Sequence, residues 1–264
     1  MTDRENPIWR VLAWMVLFFL LAPVLVTFPV SVTDNSYLSF PKDGISFQYY
    51  NNVLTDPAWI EAAVRSAIVA CMAALVATLV AGMCAYACWQ LGGRVAALVQ
   101  GLIMLPMIVP PIVSALGFHR VLVRLGLFDT YPGVILAHTV LVMPFVFICV
   151  AASLALFEDK LIHAARSLGA SRIQAAWKVL IPSILPGLLS GALFAFITSW
   201  DEVVVLLFIT SRQVVLLPRE LLQGIQDDVD PTIAAVAALL VMATTVGVGV
   251  AAVFRKRAER AAQV

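Results

Sequence analysis

The sequence predicts an all-α membrane protein of six transmembrane helices. Three observations carry that reading: an apolar excess, six apolar stretches long enough to span, and sorting of the basic residues. Of 264 residues, 62% are hydrophobic and only 12% are charged, against roughly half and a quarter in soluble domains. So few charges cannot cover the surface of a soluble chain this long, and lipid must replace water over much of it.

A hydrocarbon core about 30 Å thick needs roughly 20 apolar helical residues. Six stretches meet that length: 9–31, 58–89, 96–118, 131–156, 181–210 and 231–254. The first is long for a secretory signal and no A-x-A cleavage site follows it, so it reads as an uncleaved anchor. Asp56-Pro57 and Asp230-Pro231 mark the starts of the second and sixth, because Asp suits an N-cap and Pro the first helical turn. Glu61 and Arg65, one turn apart, read as a local helix staple. In the third stretch, Pro106, Pro110 and Pro111 each delete a backbone hydrogen bond and should kink or unwind the helix. A bilayer tolerates this only where protein or a watery cavity satisfies the freed carbonyls. Pro144 in the fourth stretch and Pro182 and Pro186 opening the fifth extend the pattern, which favours a bundle around a pathway over a simple anchor. With no visible repeat or low-complexity segment, residues 1–264 read as one membrane domain.

Orientation follows from Lys and Arg. With the N-terminus inside, the inner segments hold Arg4, Arg10, Arg94, Lys160, Arg166, Arg172, Lys178, Arg255, Lys256, Arg257 and Arg260, whereas the outer ones hold Lys42, Arg120, Arg124, Arg212 and Arg219. That excess puts both termini in the cytoplasm. The outer loops also gather acids, namely Asp34, Asp43, Asp56, Asp129, Glu220, Asp227, Asp228 and Asp230, which read as solvated loop or as a weak attractor of cations. Cys71, Cys84, Cys88 and Cys149 all lie in apolar runs, so no disulfide framework or metal site is expected.

The longest inner polar stretch, 157–172, separates the fourth and fifth spans. It reads as a short helix from Glu158 to Leu168, stopped by Gly169 in the place of a left-handed cap, then a second helix from Ser171 to Leu180 that runs to Pro182. Such an elbow, rich in small residues, can insert into a partner's groove. Here the sequence resembles a known family. His163-Ala164-Ala165, Gly169, Val179, Ile181 and Pro182 follow the spacing of E-A-A-x3-G-x9-I-x-L-P, the signature of permease subunits of ABC importers of the type I (MetI-like) fold. His163 stands where the signature has Glu; Val179 and Ile181 are conservative apolar exchanges. Ile45-Ser46-Phe47-Gln48-Tyr49-Tyr50 resembles the F-S-x-x-W/Y-Y element after the first span in these permeases, and Ser199-Trp200-Asp201-Glu202-Val203-Val204-Val205, Leu217-Pro218 and Asp230-Pro231-Thr232-Ile233-Ala234-Ala235 resemble the spermidine/putrescine (PotC-like) branch.

The resemblance implies that Glu158, Asp159, His163, Ala164, Ala165, Arg166, Leu168, Gly169 and Ala170 form a coupling helix seated in an ATP-hydrolysing subunit. It further implies two such ATPases, a second and different permease, a periplasmic solute-binding protein, and a place in the bacterial inner membrane. The cargo expected is a polyamine or a related small cationic or nitrogenous solute. No cofactor is expected on this chain. It has no G-x-x-x-x-G-K-[ST] loop, so ATP must bind the partner; nor does it have an H-E-x-x-H or G-x-S-x-G stretch to suggest catalysis. Nucleic acid is not an expected partner. The rivals are an ion-gradient transporter, which would need paired broken helices in two related halves, and an ABC permease for another small organic solute.

Asp201 and Glu202 lie about 28 Å along a helix from Pro182 at 1.5 Å per residue, within the membrane. An ionised carboxylate there costs roughly 2.5–3.5 kcal/mol and is a functional candidate by default. Two readings stand. In one, Trp200, Asp201 and Glu202 line a pathway and meet an ammonium group by charge and cation–π attraction; in the other, they belong to a structural polar network. His138, alone on an apolar run, is expected to hydrogen-bond a neighbouring helix. His119, Arg120 and Arg124 are expected at the outer interface.

Overall fold

A computed structural model describes the backbone at residues 7–42, 44–227 and 230–261 and side chains at 9–42, 44–226 and 230–246. Among these residues every regular element is helical. Asp43 and Asp228, counted above among the acids, and Arg4 lie outside the described residues.

Two compact units are present. The smaller joins residues 1–61 to 221–264 and holds helix α1 (Pro7–Ser31), α2 (Gln48–Thr55), the first turn of α3 (Pro57–Leu91), the end of α11 (Leu217–Asp227) and α12 (Thr232–Ala261). Here α12 packs against α1 and α2. Ser31 Oγ and Tyr50 Oη hydrogen-bond at 2.7 Å, and Tyr49 Oη donates to the Asn35 carbonyl. Burial, with the carboxylate of Asp230 nearby, pushes the Tyr49 phenol above its ordinary value. Both Asp-Pro starts behave as the sequence predicts: Asp56 Oδ1 accepts from Ala58 N–H at 2.9 Å, and Asp230 Oδ1 accepts from Thr232 N–H at 2.8 Å.

The larger unit, 62–220, holds the rest of α3, α4 (Gly93–Ile108), α5 (Pro111–Leu125), α6 (Tyr131–Ala155), α7 (Lys160–Ser167), α8 (Arg172–Ala175), a π turn (Ala176–Leu180), α9 (Ile181–Trp200) and α10 (Val204–Ile209). Its spine is the antiparallel pair α6 and α9. On α9, Gly187, Gly191, Ala195 and Ser199 recur every fourth residue and are all buried, which gives one continuous face of small side chains. Such a stripe lets two helix backbones approach closely, the main source of association where lipid removes the hydrophobic drive. A β-carbon at Gly187 would meet Ser153 Oγ and lie 2.7 Å from the Cys149 carbonyl; one at Gly191 would lie 3.0 Å from Val146 Cα. At the far end of the stripe Ser199 Oγ bonds His138 Nδ1 at 2.9 Å, both groups buried. His138 thus pairs with a neighbouring helix as the sequence predicts. Ala74, Ala77, Ala81 and Ala85 of α3 join Val142, Val146 and Val150 in the same core.

The spans differ from expectation at three places. Among the described residues, four helices are long and apolar enough to cross a membrane, or five if α4 and α5 count as one. The third stretch, 96–118, breaks at its prolines as the sequence predicts, but the break is complete: it is two helices, α4 and α5, meeting at 107°. The cause is Pro110-Pro111: Val109 is extended, the conformation a residue before proline prefers, and neither proline can donate to the ladder. The fifth stretch, read as continuous over 181–210, stops at Trp200 and restarts at Val204. In the other direction, the helix expected to end at Pro182 runs straight into α9, so that Arg172–Trp200 forms one span. A π turn over Ala176–Leu180 ends two residues before that proline, and this widened turn relieves the clash a proline ring makes one turn back. Of the sixth stretch, the described apolar part is Thr232–Val246.

The His138–Ser199 bond is testable on its own. Ser199→Ala fits the stripe but leaves His138 Nδ1 buried without its partner, at a cost of about 1–3 kcal/mol. The purified protein should melt at a lower temperature, and adding His138→Leu should recover most of the loss, because an apolar pair leaves no polar atom stranded.

Candidate functional site

The elbow is built by local chemistry. Helix α7 is shorter than the sequence predicts, starting at Lys160, with Glu158 and Asp159 on its approach. Its end is a Schellman arrangement: Gly169 N–H donates to Arg166 O at 3.0 Å and Ala170 N–H to Ala165 O at 3.1 Å. Gly169 takes φ +92°, a left-handed conformation that costs other residues roughly 1–2 kcal/mol. Ser171 then opens α8 with a full capping box, its Oγ accepting from Gln174 N–H and Gln174 Oε1 from Ser171 N–H. One cap closes a helix and the next opens another two residues later, so the bend is fixed.

What the elbow presents is exposed. Leu168 at its tip is 89% exposed, and Glu158, Asp159, His163, Ala164 and Arg166 are exposed as well. Ala165 and Ala170 are half-buried. A cleft of about 570 Å³ is lined by His163, Arg166, Ser167, Gly169, Ala170 and Gln174, among others. Beside it, Trp89, Gln90, Asp159, Ile162, His163 and Arg166 line a second of about 230 Å³. An edge-on contact of Trp89 with Phe157, 5.9 Å between ring centres, ties the approach to the end of α3. Leu168 thus contributes almost nothing to the core of its own chain.

The second region is the gap between α9 and α10. Asp201 is the C-cap of α9, with ψ near 0°; it is exposed. Glu202 behaves differently. Its Oε1 accepts from Val205 N–H at 2.9 Å, satisfying one of the donors that every helix start leaves open. The two acids therefore separate, one held by the backbone of α10 and one presenting its carboxylate. Trp200 stacks on Phe196 at 5.9 Å, a contact within α9.

Beyond α10 the structure corrects the expectation for Asp129, which in sequence stands among the solvated acids. It is instead 8% exposed. Its two oxygens accept from four successive N–H groups, Ser211 at 2.8 Å, Arg212 at 2.9 Å, Gln213 at 2.9 Å and Val214 at 3.2 Å. Its own N–H donates to Ile209 O at 3.0 Å. Burial pushes its carboxyl up, but the four donors outweigh that and hold it below the usual carboxylate range. The contribution of the ionised form is complete above the ordinary carboxylate pKa and is lost as pH falls through the lowered value. Around the same turn, His119 Nδ1 bonds Phe208 O at 2.7 Å, Arg219 donates to Thr210 Oγ1 at 2.7 Å, and Ser66 Oγ accepts from Leu217 N–H at 2.8 Å. Among the described residues, no group of three or more His, Cys, Asp or Glu could hold a metal.

Comparison with known proteins fits this geometry. Residues 74–260 match the family model described as binding-protein-dependent transport system inner membrane component. The spermidine/putrescine transport system permease protein PotC of Haemophilus influenzae is 27% identical over 87% of this chain and 89% of its own length. The trehalose transport system permease protein SugB of Mycobacterium tuberculosis is 26% identical over 81% and 79%. Among solved structures, a bacterial ABC transporter involved in the import of the acidic polysaccharide alginate aligns with a TM-score of 0.71 at 19% identity, covering 97% of this chain and 98% of that one. The fold, the family model and the relatives agree on one assignment: the chain belongs to the family of binding-protein-dependent transport system inner membrane components, the multi-pass permease subunits of ABC importers.

Proposed function

We propose that this chain is one half of the translocation pathway of an ATP-driven importer for polyamines or a related small cationic solute. The observation that carries the cargo class is the similarity to PotC over most of both chains, together with an exposed acid, Asp201, at a helix break. Asp201 offers charge to an ammonium group; Glu202 holds the break open by capping α10.

The elbow at Gly169 is the coupling element, with Leu168 as the side chain that enters the ATPase subunit. His163, in the place of the signature's Glu, lines both clefts, and Asp159 beside it supplies a carboxylate to the second. The expected assembly has two ATPase subunits, a second and different permease and an external solute-binding protein, in a bacterial inner membrane with both termini cytoplasmic.

The test is ATP-dependent uptake of labelled spermidine by proteoliposomes holding the four membrane and nucleotide-binding subunits plus the binding protein. Accumulation above an ATP-free control is the expected result. Uptake of a neutral sugar with none of spermidine or putrescine would remove the cargo reading and leave the importer standing. Asp201→Asn should cut spermidine uptake about tenfold or more, the scale of one charge-assisted hydrogen bond. Assembly and basal ATP hydrolysis should persist; if assembly fails instead, Asp201 belongs to a structural network.

A further inference from the structure

The break at 201–203 is bridged from outside by α6. On its near side Ser199 is bonded to His138, inside α6. On its far side the N–H groups of 211–214 and the carbonyl of Ile209 are bonded to Asp129, two residues before α6 begins. His138 lies seven residues, or about 10.5 Å along the axis at 1.5 Å per residue, inside the start of α6 at Tyr131, and Asp129 stands in the loop two residues before it. The segment that carries Asp201 is therefore held at one end by the first turns of α6 and at the other by the loop that leads into it, with His119 of α5 adding a third tie at Phe208.

We infer that Asp129 is a positioning residue for translocation: by caging the turn 211–214 it fixes α10 to the head of α6 and so sets where the Asp201 break stands in the pathway. This rests on the reading of Asp201 proposed above. Two features separate the cage from ordinary packing. Asp129 takes φ +55°, a left-handed conformation that a non-glycine residue keeps only where its surroundings over-determine it. The side chains of Ser211, Arg212 and Gln213 are exposed and Val214 alone is buried, so three of the turn's four residues are ordered through their backbone by one carboxylate rather than by burial. Four N–H groups converging on two oxygens also leave the turn little freedom to change shape without releasing the whole set.

Asp129→Asn and Asp129→Gly test this in the reconstituted complex with spermidine-loaded binding protein. Asn accepts the left-handed backbone but turns an N–H₂ group toward the turn's own donors; Gly relieves the backbone and removes the cage. Both variants should assemble and keep basal ATP hydrolysis, while spermidine moved per ATP falls about tenfold and the KM for loaded binding protein stays unchanged. A raised KM with an unchanged ratio would overturn the inference, because the turn would then serve only docking. Loss of assembly in both variants would overturn it too, as a purely architectural role. Failure of the unsubstituted complex to take up spermidine is a separate result that removes the proposed cargo and this inference with it.

Discussion

Gly187→Leu should prevent the chain from reaching its folded state in the membrane. Even the first carbon of the new side chain would stand 2.7 Å from the Cys149 carbonyl, a backbone atom that cannot move without shifting α6. The cost lies at or above the ~3 kcal/mol upper end of usual overpacking, on a helix pair that organises the larger unit. Gly191→Ala should cost less, since its β-carbon would lie 3.0 Å from Val146 Cα. Gly82→Ala should be near neutral, with only the flexible end of Leu188 at 3.4 Å. Size-exclusion profiles and melting temperatures of the three variants in detergent check the order. Equal behaviour of Gly187→Leu and Gly82→Ala would show that the stripe does not set the α6–α9 distance.

Leu168→Asp should leave the chain folded and stop transport. At 89% exposure this side chain makes almost no contribution to its own chain's stability, so any large effect must come from what it meets in the assembly. Removing a fully buried leucine from an interface costs about 1.5–3 kcal/mol, and the buried charge adds a desolvation penalty. Together these are worth at least about tenfold in the coupled reaction. Spermidine uptake and stimulation of ATP hydrolysis by loaded binding protein should fall together, with melting temperature unchanged. Gly169→Leu should do the same with an added fold cost, because φ +92° strains any side chain there.

Sequence and structure agree where chemistry is local. The Asp-Pro helix starts, the cap at Gly169, the Ser171 N-cap and the rupture at Pro110-Pro111 all depend on neighbours within a turn, so their residues announce them. Glu202 was half legible. As an acid in a span it is conspicuous, but its role as a cap appears only once α9 is seen to stop at Trp200. The apolar run 203–209 gives no warning of that stop, since it would extend a helix equally well. The small-residue stripe stands in the sequence as Gly187-x3-Gly191-x3-Ala195-x3-Ser199, yet hydropathy, the property that marks a span, is blind to side-chain size. Asp129 was out of reach: its partners lie more than eighty residues away in sequence, and a polar loop residue has the same composition whether solvated or caged.

The coupling role depends on the elbow being a joint with a nucleotide-hydrolysing partner. A photo-crosslinking amino acid placed at position 168, in membranes holding the whole transporter, reads this directly. The expected adduct joins this chain to the ATPase subunit and changes in yield between nucleotide-free and ATP-bound states. Adducts only to lipid or to the external binding protein, in either state, would contradict the coupling role and the orientation of the chain with it.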